Sequence, residues 1–275
     1  MNAQVRTGTY RLPVTINTIA DVDRSGRWLS AGWRDFRRTP VISLVYGGAF
    51  VLISFGLAYG LIAAGLGSLV LPLAGGFVML GPILVVGLYD VSRRLERDQP
   101  ARLGDVFNAF GESAGQLAAM GVTLLIAYLV WVEVALFLFM LFFSLTPPPL
   151  DRFLEDVVFS LNGAPLLIVG SIVGAAFGAV VFSVSAVSVP LIYDRPIDVI
   201  TAISASLLAV RENWRLMFGW AAMIVLVIAC GLATFLVGLA VALPVLAYAT
   251  WHAYRDLIAV EDSLVREEPL AAQAS

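Results

Sequence analysis

The stretch Thr39–Tyr89, TPVISLVYGGAFVLISFGLAYGLIAAGLGSLVLPLAGGFVMLGPILVVGLY, decides the fold: it is 51 residues long and holds no charged side chain. A helix rises about 1.5 Å per residue, so one helix of that length would reach about 77 Å, against a bilayer hydrocarbon core of about 30 Å. The run must turn back on itself, and AAGLGS (Ala63–Ser68) supplies small, flexible residues for the turn. Two membrane spans are expected, near 41–64 and 69–89. A second charge-free run of 39 residues, Leu216–Tyr254, divides in the same way, into spans near 216–236 and 239–254 with a turn near Gly238. Between the runs lie a third span near 119–145 and a fourth near 166–189. TPPPLDRF (Thr146–Phe153) ends the third, because proline lacks the amide hydrogen a helix needs.

Composition agrees. Of the 275 residues, 60% are hydrophobic and 13% charged, where soluble domains carry about 25% charged residues. The expected fold class is an all-α polytopic membrane bundle of six transmembrane helices. It divides into a cytoplasmic segment over 1–38 with an interfacial helix, a six-span membrane domain over 39–260, and a cytoplasmic tail over 261–275. No cleaved leader is expected in residues 1–38, which carry seven arginines and no apolar core of the needed length.

All 17 basic residues are arginine. Seven precede the first span, four lie between spans two and three, three between spans four and five, and two after span six, leaving Arg152 alone on the opposite side. Sixteen against one is a positive-inside signal that puts both termini in the cytoplasm. The expected location is the bacterial inner membrane, with membrane lipids as surroundings. The net charge of −3 argues against a nucleic-acid partner.

The chain repeats itself in outline. Spans two, four and six end in LYD (Tyr89, Asp90), IYD (Tyr193, Asp194) and AYRD (Tyr254, Asp256), each with a proline upstream: Pro82, Pro190 and Pro244. Apolar residues at Leu103, Val106, Phe107, Phe110, Ala114 and Leu117, and again at Ile200, Ile203, Leu207, Val210 and Trp214, keep the three-and-four spacing of one helix face. Leu29, Trp33 and Phe36 do so before the first span, interrupted by Gly26. The simplest architecture is three units, each an interfacial amphipathic helix followed by a two-helix hairpin.

Gly170, Gly174 and Gly178 recur every fourth residue in span four, and Gly56 and Gly60 do so in span one. Small residues let helix backbones approach closely, so these five are expected at helix-packing contacts within the chain, the alternative being that one stripe faces another subunit. In LVWVEVALFLFML (Leu129–Leu141) the one polar residue is Glu133. An ionised acid at that depth costs about 2.5–3.5 kcal/mol. The side chain is therefore expected to be neutral and to face the bundle, bonding Ser183, Ser185 or Ser188, or a backbone carbonyl freed by Pro82. A proton-carrying or solute-binding role and exposure to lipid are the other readings.

Other chemistry is sparse. GESAG (Gly111–Gly115) matches the G-x-S-x-G pattern, but that elbow needs a preceding strand and a histidine partner. The flanks here read as helical, and the one histidine is His252. With one histidine and one cysteine (Cys230), neither a structural zinc site nor a bis-histidine haem can be built within one chain. No catalytic residue, metal or cofactor is expected. SRRLERD (Ser92–Asp98) places Arg93, Arg94 and Arg97 where they suit lipid headgroups or a docking partner.

SAGWRDFRRTPVISLVYGGAFV (Ser30–Val51) and LPLAGGFVMLGPILVVGLYDVSRRLERDQP (Leu71–Pro100) resemble an uncharacterised bacterial integral-membrane family catalogued as a domain of unknown function, some of whose members are labelled cytochrome c oxidase subunit I. The resemblance covers most of residues 15–260 and brings no established catalytic residues. A haem–copper catalytic subunit needs several histidine ligands, so the label implies at most an accessory role for a chain with one. The expected function is that of a non-enzymatic accessory, assembly or scaffold protein, associated with respiratory complexes if that label carries over. Its partner would be another membrane protein or further copies of the chain. A small transporter with Glu133 in its pathway is the alternative, and an intramembrane enzyme the third reading.

Overall fold

The computed structural model describes residues 14–21, 23–143, 159–161, 163–234 and 236–259. The expected turn at Thr146–Phe153 and the tail at 261–275 lie outside them. The described chain is helical but for one short pairing. Its helices are α1 (Arg24–Arg38), α2 (Pro40–Ala63), α3 (Val70–Leu84), α4 (Val86–Glu96), α5 (Leu103–Glu112) and α6 (Ala114–Phe143). They continue as α7 (Ala164–Ser185), α8 (Ser188–Asp194), α9 (Val199–Glu212), α10 (Trp214–Ala233) and α11 (Leu239–Leu257). Four helical stretches among the described residues are long and apolar enough to cross a membrane: Pro40–Ala63, Ala114–Phe143, Ala164–Asp194 and Trp214–Ala233.

Both expected turns are present. Between α2 and α3, Gly65 takes φ +74°, a left-handed conformation that suits glycine. Between α10 and α11, the Thr234 hydroxyl donates to the Gly231 carbonyl and accepts from the Gly238 amide, both at 2.7 Å. Three short helices meet three long ones at single-residue joints of one conformation. Thr39 has φ −130°, ψ 53°; Ser113 has φ −131°, ψ 35°; Asn213 has φ −115°, ψ 32°. The GESAG pattern is thus the joint between two helices, with no strand before it.

The spans are broken near Pro82 and Pro190, and each break is filled from a neighbouring helix. Val85 separates α3 from α4, and the Tyr46 hydroxyl donates to the Leu84 carbonyl. Ala186 and Val187 separate α7 from α8. There the buried Ser206 hydroxyl of α9 donates to the Ser183 carbonyl at 2.7 Å and accepts from the Val187 amide at 3.2 Å. In apolar surroundings a freed backbone group is costly unless it is bonded again, which accounts for both hydroxyls. The third proline, Pro244, lies inside α11 without a break.

Helix α11 is the centre of the fold. Most of its residues are buried, and it packs against α1, α2, α4, α8 and α10. Helix α9 turns its small residues inward: Ala202, Ala205, Ser206 and Ala209 are buried, while Ile200 and Leu207 are exposed, as is Trp214 at the start of α10. Helix α1 departs from expectation. It buries Trp28, Gly32, Asp35 and Phe36, leaves Trp33 exposed, and lies so close to α11 that a Cβ on Gly32 would fall 2.7 Å from the Ala249 nitrogen. At the termini, Thr15–Ile16 pairs antiparallel with Ile258–Ala259.

The glycine assignments need correction. Of the five, only Gly174 meets a neighbour, the Trp131 ring 3.2 Å from where its Cβ would be; Gly56, Gly60, Gly170 and Gly178 face open space. Close packing occurs at Gly32, Gly47, Gly87 and Gly231, where a Cβ would strike α11 or, at Gly87, Val106 of α5.

Candidate functional site: a polar layer at one end of the bundle

The ionisable side chains gather where α4, α8 and α11 end and α1 passes. Tyr193 donates to Asp90 at 2.7 Å, and Tyr254 donates to Asp194 at 2.7 Å, so tyrosines of two of the recurrent Tyr–Asp endings each bond the acid of the preceding one. In AYRD the residue after the tyrosine is Arg255, which lies 3.4 Å from Glu96 and 3.7 Å from Asp194 and so bridges the first and second endings.

Asp90 is buried. Burial alone would raise its pKa, but hydrogen bonds from Arg94, Tyr193 and Arg93 outweigh it and hold the carboxyl below its usual range. Arg93 also lies over the Tyr193 ring, 4.5 Å from its centre, and Arg94 reaches Asp105 of α5 at 3.4 Å. Asp35, buried on α1, is 2.8 Å from His252 Nε2 and accepts from the Ser92 hydroxyl at 2.7 Å. His252 Nδ1 faces Glu96 at 3.9 Å. Burial pushes the Glu96 carboxyl up, with Arg255, Trp251 and His252 opposing and Asp194 adding to it. Trp251 is fully buried beneath this layer, against Tyr89, Tyr193 and Tyr254. At the outer edge, Asp256 accepts from Arg24 and from Trp28 Nε1 at 2.6 Å.

These pairs join five helices, α1, α4, α5, α8 and α11, by charge-assisted bonds, and the layer holds the groups from which acid–base chemistry could be drawn. Its acids and bases are bonded to one another. His252 is committed to Asp35, away from any dyad with Ser113. Among the described residues no three histidine, cysteine, aspartate or glutamate side chains converge as metal ligands. Arg93 and Arg94, expected at headgroups or a docking partner, are instead bound to Asp90; of the three named arginines only Arg97 is exposed.

Glu133 is also not where it was expected. It lies on the exposed face of α6, not toward the bundle. Its expected partners are engaged in their own helix: Ser183 bonds the Ala179 carbonyl, Ser185 that of Val181, and Ser188 that of Val184.

Residues 70–194 match the family described as Predicted integral membrane protein (DUF2189). The match runs from the start of α3 to the end of α8. It takes in Leu71–Pro100, one of the two blocks that carried the resemblance, but not Ser30–Val51. No curated protein and no solved structure matches the chain. With four helical stretches among the described residues long and apolar enough to cross a membrane, and with this match, the chain is a membrane protein similar over residues 70–194 to a family whose function is unknown.

Proposed function

We propose that the protein is a non-enzymatic scaffold or accessory protein of the bacterial inner membrane, which binds another membrane protein along its exposed span faces. The observation that carries this reading is Glu133. A carboxylic acid on the outer face of an apolar helix, ten residues or about 15 Å from Phe143, has neither water nor lipid to bond. A protein surface covering that face would supply the partner. The polar layer fits the same reading, since its charges tie helices together. A transport pathway would place its acid toward the bundle interior, so the position of Glu133 weighs against that alternative.

The membrane arrangement that goes with this proposal has six spans, α3–α4 and α11 serving as the second and sixth, in three units of interfacial helix and hairpin. The like joints at Thr39, Ser113 and Asn213 support the repeat. The meeting of α1, α4, α8 and α11 in one polar layer supports both termini lying on one side, and the arginine distribution makes that side cytoplasmic.

Extraction into polymer-bounded bilayer discs, followed by mass spectrometry of what remains bound, tests the scaffold reading. A stoichiometric membrane partner, respiratory or other, or a second copy is expected; an isolated monomer refutes it. Reporter fusions test the topology, with Gly67 expected outside and Pro100 and Pro196 inside.

A further inference from the structure

We propose that a second copy of this chain covers the exposed face of α6, with the two Glu133 side chains hydrogen-bonded to each other across a two-fold axis. This rests on the scaffold reading and names the partner. Glu133 is exposed and has no hydrogen bond to a described residue. One and two turns away on the same helix, Ile126, Leu129, Val130, Phe137 and Met140 are also exposed, so the acid sits inside a continuous apolar face. No arginine or histidine lies within α2, α6 or α7, so these helices offer Glu133 no cation.

The occupant follows from hydrogen-bond complementarity. A carboxylic acid in its neutral form has one donor and spare acceptor capacity, so it is complementary to itself. A two-fold interface sets each residue on the axis against its own copy. Two Glu133 side chains there exchange a pair of O–H···O bonds, and neither is left unbonded in lipid. A different protein would have to bring a dedicated polar group to the same depth, whereas a second copy brings it by symmetry. The neighbouring helix leaves room for a close approach: Trp131 lies against Gly174, which puts the exposed Ser171 and Ala175 of α7 near the depth of Glu133.

The test co-expresses two differently tagged full-length copies, extracts them in bilayer discs, purifies through one tag and measures the other. In parallel, Phe137→Cys in a Cys230→Ser background is oxidised in native membranes to trap the interface. Co-purification and crosslinking are expected in the parent. Glu133→Gln, whose amide is also self-complementary, should retain both, and Glu133→Leu should lower both at least fivefold while the monomer keeps its thermal stability. Copies that co-purify equally well with Glu133→Leu overturn the proposal. A different protein that is retained, and lost in Glu133→Leu without any second copy, overturns it while leaving the scaffold reading intact. The absence of both a second copy and any other protein overturns the two together.

Discussion

Tyr193 of α8 donates a 2.7 Å hydrogen bond to Asp90 of α4, 103 residues away in sequence, and does so at a carboxylate only 1% exposed. Arg93 and Arg94, one turn further along α4, bind the two oxygens of that carboxylate, and Arg93 covers the Tyr193 ring. The arrangement locks the end of α4 to the end of α8. Each member depends on the others, because a charge in a buried position is tolerable only while it is paired.

Removing Asp90 should therefore be severe. Asp90→Ala leaves Arg93 and Arg94 without the acid they share and should cost about 3–5 kcal/mol. Tyr193→Phe removes a single donor and should cost about 1–3 kcal/mol. Thermal or denaturant unfolding in mild detergent measures both; a negligible loss in Tyr193→Phe beside a large one in Asp90→Ala would mean that the arginines hold Asp90 without help from α8, and small losses in both would mean that the cluster contributes little to stability.

Two acids of the layer respond to pH in opposite directions. Asp90 has a depressed folded pKa, so its contribution is complete above the ordinary aspartate value of about 3.9 and is lost as pH falls through the folded value. Glu96 has a raised folded pKa, chiefly from burial, so its charged form is a burden at neutral pH. That burden disappears as pH falls through the folded value toward the ordinary glutamate value of about 4.3. Glu96→Gln should accordingly be more stable than the parent at pH 7 to 8, by on the order of 1 kcal/mol or less. The gap should close toward pH 4. Melting temperatures of the two proteins across that range decide it, and a gap that widens on acidification would reverse the assignment.

Part of this was legible in the sequence. The charge-free runs fixed where helices form, and AAGLGS and the region of Gly238 are turns. The Tyr–Asp endings stood out as a pattern, and two of their tyrosines make the bonds that link α8 to α4 and α11 to α8. What could not be read was which way a span faces. Helices such as α6 and α7 are apolar all round, so no polar stripe marks the outside and no period marks the inside. Glu133, expected to face the bundle, is exposed instead, and four of the five glycines have no neighbour among the described residues of this chain. The pairing of Asp35 with His252, 217 residues apart, has no local signal either.

The true close contacts give a direct comparison. Gly47 of α2 is buried against the Ala240 backbone of α11, whereas Gly56, nine residues on, is exposed with nothing near it. Gly47→Ala should destabilise by about 1–3 kcal/mol, since backbone cannot move aside as a flexible side chain can. Gly56→Ala should be neutral or stabilise by up to about 1 kcal/mol through helix propensity. Side-by-side melting curves separate the two, and a stable Gly47→Ala would mean that α2 and α11 are less closely packed than this.

The last prediction concerns how the start of the chain is held. Asn213, the buried joint between α9 and α10, donates to the Asn17 carbonyl at 3.0 Å and accepts from the Ile19 amide at 2.7 Å. It thereby treats residues 17–19 as a paired strand would. The same segment is tied to the end of α11, where Asn17 bonds the Asp256 carbonyl and Thr15–Ile16 pairs with Ile258–Ala259. Val14, Ile16 and Ile19 pack on the core and add apolar contact. Asn213→Ala removes both side-chain bonds to this segment, each worth about 1–3 kcal/mol where the group left behind is buried. Local opening, not global unfolding, should absorb the loss, because the helices keep their own contacts. Amide hydrogen exchange at residues 15–19 should therefore quicken about tenfold or more while exchange in α11 stays slow. Asn213→Asp should be intermediate at Ile19, whose amide keeps an acceptor, and as open as the alanine variant at Asn17, whose carbonyl would face a carboxylate. Unchanged exchange in Asn213→Ala would show that α11 alone holds the segment, with Asn213 serving only to cap the Ala209 carbonyl 3.1 Å away.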